Sequence, residues 1–186
     1  MKIDRSFGKE VQERSGQEIK VCYQCLKCSV GCPVSSYMKF KANRLIRMIQ
    51  YGEREKVLKD SSIWLCVSCM TCGARCPNEI DMSSVMDTLR EMSIEGGYAH
   101  EADRRVVILH EEFVRSIKMW GRLHEITFFM PYMIRSLDLF SNMGSALALM
   151  PRGKFPLIPK QIDGIEDIRQ LFNRAYKTKG QLKKEE

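Results

Sequence analysis

Eight cysteines in two groups constrain this chain more than any other feature of its sequence. Cys22, Cys25, Cys28 and Cys32 form the first group, and Cys66, Cys69, Cys72 and Cys76 form the second. Each group reads C-x2-C-x2-C-x3-C-P, closed by Pro33 and Pro77. Adding 44 to any member of the first group gives its counterpart in the second. The correspondence runs on through Leu45 and Leu89, Met48 and Met92, and Gly52 and Gly96. Ten cysteine and proline positions in register mark an internal duplication.

The residues after each motif have helical periodicity. Leu45, Ile46, Met48 and Ile49 recur on one helical face, as do Val85, Leu89 and Met92. Gly52 and Gly96 stand where these helices should end, since glycine accepts the left-handed cap at little cost. Each half is therefore expected to be a cysteine loop, a proline and a helix of about three turns. Glu53–Lys59 predicts a short helix between the halves, and Phe7–Arg14 predicts another that ends near Gly16. No run of alternating apolar residues flanks either motif, which argues against a strand-rich module. The expected fold class is mainly α: an all-helical ferredoxin-like module over residues 1–97, then a helical extension over residues 98–186 expected to bind a partner.

Within the extension, His100–Trp120 reads as a helix with Val106, Val107, Leu109, Phe113, Val114 and Ile117 on a broad apolar face, stopped by Gly121. Leu123–Met150 carries more large apolar residues than one small domain comfortably buries. It reads equally as a partner surface or as core packed on the preceding helix. Pro151–Pro159 holds three prolines and reads as an extended strap, and Asp163–Tyr176 as a last amphipathic helix.

The cysteine spacing points to iron–sulfur chemistry. Three thiolates two residues apart can wrap one compact 4Fe–4S cube, while the fourth, followed by proline, points away from it. In two-cluster proteins with this run, that fourth cysteine ligates the other cluster. The crossed assignment gives Cys22, Cys25, Cys28 and Cys76 to one cluster, and Cys66, Cys69, Cys72 and Cys32 to the second. Leu26, Val30, Val67 and Met70 within the loops are expected to keep water off the clusters. A disulfide framework needs an oxidising compartment. A zinc pair would show two C-x2-C arms separated by a finger-length loop, which three cysteines closed by C-P do not match.

Nothing else in the sequence reads as a reaction centre. No glycine-rich nucleotide or flavin motif is present, and His100, His110 and His124 sit on helical segments without a partner pattern, as solvated or packed side chains. No catalytic residue is assigned. The formal charge is +7, yet two oxidised clusters with their thiolates carry about −2 each, leaving about +3 on the loaded chain. That weakens a nucleic-acid reading. Lys39, Lys41, Arg44 and Arg47 then read as a solvated face or as a docking patch for an acidic partner. The nearest candidate for a membrane span, Ile126–Ile134, holds nine residues, contains Pro131 and stops at Arg135, too short to cross a membrane. The first residues have no apolar core of a secretory signal, so a cytoplasmic location is expected.

The paired motifs CYQCLKCSVGCP and CVSCMTCGARCP, the helical spacer, and the apolar tail after Trp120-Gly121-Arg122-Leu123 resemble the iron–sulfur C subunit of heterodisulfide reductase. The cysteine motifs alone are shared with iron–sulfur subunits of anaerobic glycerol-3-phosphate dehydrogenase, of lactate oxidation systems and of succinate dehydrogenase. The last adds a 2Fe–2S domain for which no cysteines remain. The resemblance implies a non-catalytic relay within an oxidoreductase complex of methanogenesis. It would pass electrons from the flavin-containing, electron-bifurcating A subunit to the catalytic B subunit, which reduces the heterodisulfide of coenzyme M and coenzyme B. It further implies a hydrogenase or formate dehydrogenase upstream and a soluble dimer of heterotrimers. The alternatives are a relay subunit of another flavin dehydrogenase and a free two-cluster ferredoxin.

Overall fold

A computed structural model describes residues 3–137 and 159–182 of the chain. The chain divides into two compact units, Met1–Val107 and Ile108–Glu186. The described residues contain helices and connecting loops, with no strand among them, so the fold is mainly α.

The first unit follows the 44-residue repeat in its backbone. Helix α1 spans Phe7–Ser15 and ends at Gly16 in the left-handed conformation, φ 67°. Then comes a single 3-10 turn, Ile19–Val21, which precedes Cys22, with α2 at Lys27–Val30 and α3 at Ala42–Gln50. Helix α4, Arg54–Leu58, links the halves. The second half repeats the pattern with α5 at Ser62–Leu65, α6 at Thr71–Ala74 and α7 at Met82–Glu95. The bounds of α2 and α6 differ by 44 at both ends. Cys22 and Cys66 leave their preceding turns with nearly the same backbone angles, φ −64° and ψ 117° against φ −63° and ψ 123°.

One core serves both halves. Leu45 and Ile49 on α3, Val85 and Leu89 on α7, and Phe7 and Val11 on α1 are all fully buried in it. Burying a leucine of this kind contributes about 1.5–3 kcal/mol relative to leaving it in water. Helix α1 lies against both repeat helices, α3 and α7. The Arg14 guanidinium reaches both Glu95 oxygens on α7, at 2.8 and 3.1 Å. Asp81 caps α7 by accepting from the Ser83 N–H at 2.8 Å and from the Ser84 hydroxyl at 2.7 Å.

The two helix exits differ by one residue. After α3 the left-handed residue is Gly52, φ 75°, as its type suggests. After α7 it is Gly97, φ 74°, while Gly96 keeps right-handed angles. Helix α7 runs one residue further than the repeat implies, and the adjacent glycine takes up the turn.

Helix α8, Ala99–Trp120, is broken at Asp103, whose φ of −159° and ψ of 91° are extended. The Asp103 carboxylate accepts from the Val106 N–H at 3.3 Å and so caps the part that follows. The apolar face expected on this helix is buried only in part: Val107 is buried, Val106 packs against the core and Ile117 is half-buried. Phe113, Val114 and Leu109 are exposed, whereas Ile108, Glu112 and Ser116, four residues apart, are buried. Glu112 tolerates burial because Arg135 reaches it at 2.5 Å and Arg115 at 3.1 Å.

Helix α9, Glu125–Ser136, is capped by the buried His124, whose Nδ1 accepts from the Thr127 N–H at 3.3 Å. His124 is thus a packed histidine with a structural role. Helix α10 spans Ile165–Leu182. Most of the proline strap and the second half of the apolar Leu123–Met150 segment lie outside the described residues.

Candidate iron–sulfur centres

Each cysteine motif is a loop closed by a short helix. Gln24 and Leu26 in the first loop, and Ser68 and Met70 in the second, take left-handed angles with φ between 51° and 67°. These four positions are also related by 44. Left-handed backbone in side chains of this kind costs energy and persists only where the surroundings demand it. The demand here is curvature: alternate residues must turn back so that three cysteines face one point. Helix α2 then starts directly after Leu26, with the Ser29 and Val30 N–H groups donating to the Leu26 carbonyl at 2.9 and 3.0 Å.

The eight thiols are free and fall around two separate cavities. Cys22, Cys25, Cys28 and Cys76 line the first, and Cys66, Cys69, Cys72 and Cys32 line the second. Among the described residues no three of His, Cys, Asp or Glu converge tightly enough to hold a single metal ion. The thiols stand at the cavity walls instead.

The halves are stitched together near these cavities. The Asn78 side-chain amide donates to the Val21 carbonyl, which brings the Cys76-Pro77-Asn78 segment beside the first motif. The Gln17 side-chain Oε1 accepts from the Asp81 N–H at 2.8 Å. Arg90 on α7 donates to the Ile63 carbonyl at 2.8 Å and to the Cys66 carbonyl, holding the second loop at its start.

Burial differs along each motif in a repeated way. Cys22, Cys28, Cys66 and Cys72 pack against the common core, whereas Cys25 and Cys69 are exposed. Burial pushes the Cys28 and Cys72 thiols up, so in the metal-free protein they hold their protons. Ligation by iron would displace those protons. The Thr71 hydroxyl beside Cys69, with Sγ and Oγ1 3.5 Å apart, pulls that thiol down.

The apolar loop residues do not seal the cavities. Leu26, Val30, Val67 and Met70 are 50%, 82%, 60% and 63% exposed. The loops are too short to fold these side chains over thiols that already point inward, so they form an outer rim. In the basic group, Arg44 and Arg47 lie on α3 while Lys39 and Lys41 precede it. Arg44 stacks on Phe40 at 4.8 Å and Arg47 on Tyr51 at 5.4 Å.

An all-helical module that sets cysteines around two equivalent cavities is an iron–sulfur protein of the electron-transfer class. Residues 18–80 match the 4Fe-4S dicluster domain. Beyond that domain, the chain is similar to the iron–sulfur C subunits of heterodisulfide reductases from methanogens. It is 25% identical over 104 residues to the C subunit of the H(2):CoB-CoM heterodisulfide,ferredoxin reductase of Methanothermobacter thermautotrophicus, which is 56% of either chain. It is 30% identical over 111 residues to the iron-sulfur C 2 subunit of the CoB--CoM heterodisulfide reductase of Methanocaldococcus jannaschii, 55% of this chain and 59% of the relative. It is 31% identical over 97 residues to the C subunit of the Ferredoxin:CoB-CoM heterodisulfide reductase of Methanosarcina mazei, 52% of this chain and 60% of the relative. The matches thus span little more than half the length of these relatives. No helix among the described residues is long and apolar enough to cross a membrane.

Proposed function

We propose that this chain is the electron-relay subunit of a heterodisulfide reductase-type complex and holds two 4Fe–4S clusters in crossed fashion. Cys22, Cys25, Cys28 and Cys76 would hold one cluster, and Cys66, Cys69, Cys72 and Cys32 the other. The observation that carries this reading is the lining of the cavities: each has three cysteines from one motif and the fourth from the other. A bound cluster of this type supplies a one-electron carrier whose potential depends on charge, hydrogen bonds to sulfur and solvent access.

The chain's own part is to fix two such carriers close together in one rigid core and to leave each an outer edge. Cys25 and Cys69 supply those edges. In this reading a flavin-containing partner meets one edge, and a catalytic partner that reduces the coenzyme M–coenzyme B heterodisulfide meets the other. A hydrogenase or formate dehydrogenase feeds the assembly, which is a cytoplasmic dimer of heterotrimers. The helical extension over residues 98–186 contributes the contacts to these partners. No substrate is transformed on this chain.

Anaerobic purification from the native cells, with mass spectrometry of what accompanies the chain, tests this. Recovery with a large flavoprotein and a second cysteine-rich protein is expected. Recovery with a lone glycerol-3-phosphate or lactate dehydrogenase, or as a free carrier, would leave the clusters standing and overturn the complex.

A further inference from the structure

The two centres share a backbone but not a hydrogen-bond environment. At the first, Gln24 directs its amide nitrogen to Cys22 Sγ at 3.4 Å and to the Asn43 carbonyl at 3.1 Å. Its carbonyl oxygen accepts from the Asn43 side-chain amide at 3.2 Å. Asn43 is held in turn by Ser29, whose hydroxyl donates to Asn43 Oδ1 at 2.6 Å and accepts from the Asn43 N–H at 3.2 Å. Ser29 is buried and its Oγ lies 3.9 Å from Cys28 Sγ. The orientation of the Gln24 amide follows from its partners. Turned over, its oxygen would face a sulfur and a carbonyl, two acceptors, while its nitrogen would face another donor.

Adding 44 to these positions removes every part of the network. Gln24 becomes Ser68, Ser29 becomes Gly73 and Asn43 becomes Asp87. Ser68 keeps the same left-handed backbone, φ 51° against 57° at Gln24, so the loop survives while the amide donor does not. Asp87 is 61% exposed and pairs with Arg90 at 2.9 Å. Among the described residues, the side-chain group at a thiol of the second centre is the Thr71 hydroxyl beside the exposed Cys69. The Arg90 guanidinium reaches carbonyls there, with its charge already met by Asp87. The first centre is bordered by two cations, Lys27 in its lining and Arg75 beside Cys25.

We propose that Gln24 is an outer hydrogen-bond donor to the Cys22 thiolate and sets the cluster held by Cys22, Cys25, Cys28 and Cys76 at the higher reduction potential of the two. Asn43 and Ser29 are the positioning residues that aim it. A donor at a ligating sulfur withdraws electron density and favours the more negative, reduced cluster. The bordering cations act in the same direction. An electron delivered to either cluster therefore settles at the first, and the duplicated scaffold gains a direction by losing its symmetry at three side chains.

This rests on the two-cluster reading above, and the experiment separates the two. The anaerobically loaded full-length chain is assayed for iron and sulfide, then titrated by potentiometry with EPR detection. Iron and sulfide near eight per chain establish two clusters, whereas a lower count or zinc would overturn that reading and this proposal with it. With two clusters present, two separate midpoints are expected. Gln24→Met, close in size, should lower the higher midpoint and leave the lower one in place, narrowing the gap. Ser68→Ala should move neither. If Gln24→Met does not load, Asn43→Ala carries the test, with a smaller shift in the same direction. Coincident midpoints in the unaltered chain, a fall in the lower midpoint instead, or no shift in a fully loaded variant would overturn the proposal.

Discussion

The paired helix exits offer a quantitative test of how the repeat was adapted. Gly52 and Gly97 have almost the same left-handed φ, 75° and 74°. A side chain at either position pays for that conformation, about 1–2 kcal/mol. Their surroundings differ. A Cβ at Gly97 meets nothing within 4 Å, whereas a Cβ at Gly52 would collide with the Asp4 carbonyl oxygen and lie 2.7 Å from its carbon. Those are backbone atoms, so the 4–7 segment would have to move. It is tied by the Asp4 N–H donating to the Gly52 carbonyl at 2.9 Å and by the Phe7 N–H donating to the Asp4 carbonyl at 3.2 Å. Losing about one such bond adds roughly 1 kcal/mol, and unseating the fully buried Phe7 adds more. Gly97→Ala should therefore cost about 1–2 kcal/mol and Gly52→Ala about 3–4 kcal/mol. Thermal unfolding of cluster-loaded protein, anaerobically and at one scan rate, ranks the two. At about 2–4 °C per kcal/mol for a chain of this size, the difference of about 2 kcal/mol means Gly52→Ala should lose roughly 4–8 °C more than Gly97→Ala. Equal losses, or a larger one at Gly97, would refute the close-approach argument.

Three further outcomes follow from the same structure. Leu45→Ala and Leu89→Ala, equivalent in the repeat and both fully buried, should each cost about 2–5 kcal/mol in thermal or denaturant unfolding, and similarly to one another. Asp103→Ala should cost about 0.5–2 kcal/mol by removing the cap on the main part of α8, read as reduced amide protection near Val106 in hydrogen exchange. Asp4 is held down to about 2 from 3.8, first by the Ser6 hydroxyl and then by Arg54. Its folded value lies below its unfolded one, so its contribution is present above about pH 4 and is lost as pH falls through 2. In Asp4→Asn the stability difference from the parent protein should shrink across that window.

Much of the first unit is legible in the sequence because its signals are local. Helix α1 with its Gly16 exit, α3 and α7 with their buried stripes, and the short α4 all follow from period and punctuation. The cysteine loops are legible as positions but not as conformations. Left-handed backbone is ordinarily signalled by glycine or asparagine, and Gln24, Leu26, Ser68 and Met70 carry no such mark. Closure of the loop around its cavity imposes the angle instead. The outward set of Leu26, Val30, Val67 and Met70 is missed for the same reason, since facing thiols inward leaves their neighbours outside. On α8, apolar periodicity points to Phe113 and Val114, while the buried stripe runs through Glu112 and Ser116. Its reason sits 23 residues further on, at Arg135, and no local window contains it. The Gln24–Asn43–Ser29 network was open to the sequence only by asking where the two repeats disagree.

The crossed holding of the clusters is the central claim, and one set of variants tests it most directly. With Cys66, Cys69 and Cys72 all changed to alanine, only Cys22, Cys25, Cys28, Cys32 and Cys76 remain. The crossed assignment predicts one 4Fe–4S cluster, about four iron per chain, with an EPR signal that survives a further Cys32→Ala and is lost or converted on Cys76→Ala. Survival without Cys76 and loss without Cys32 would contradict it, because each motif would then close its own cluster.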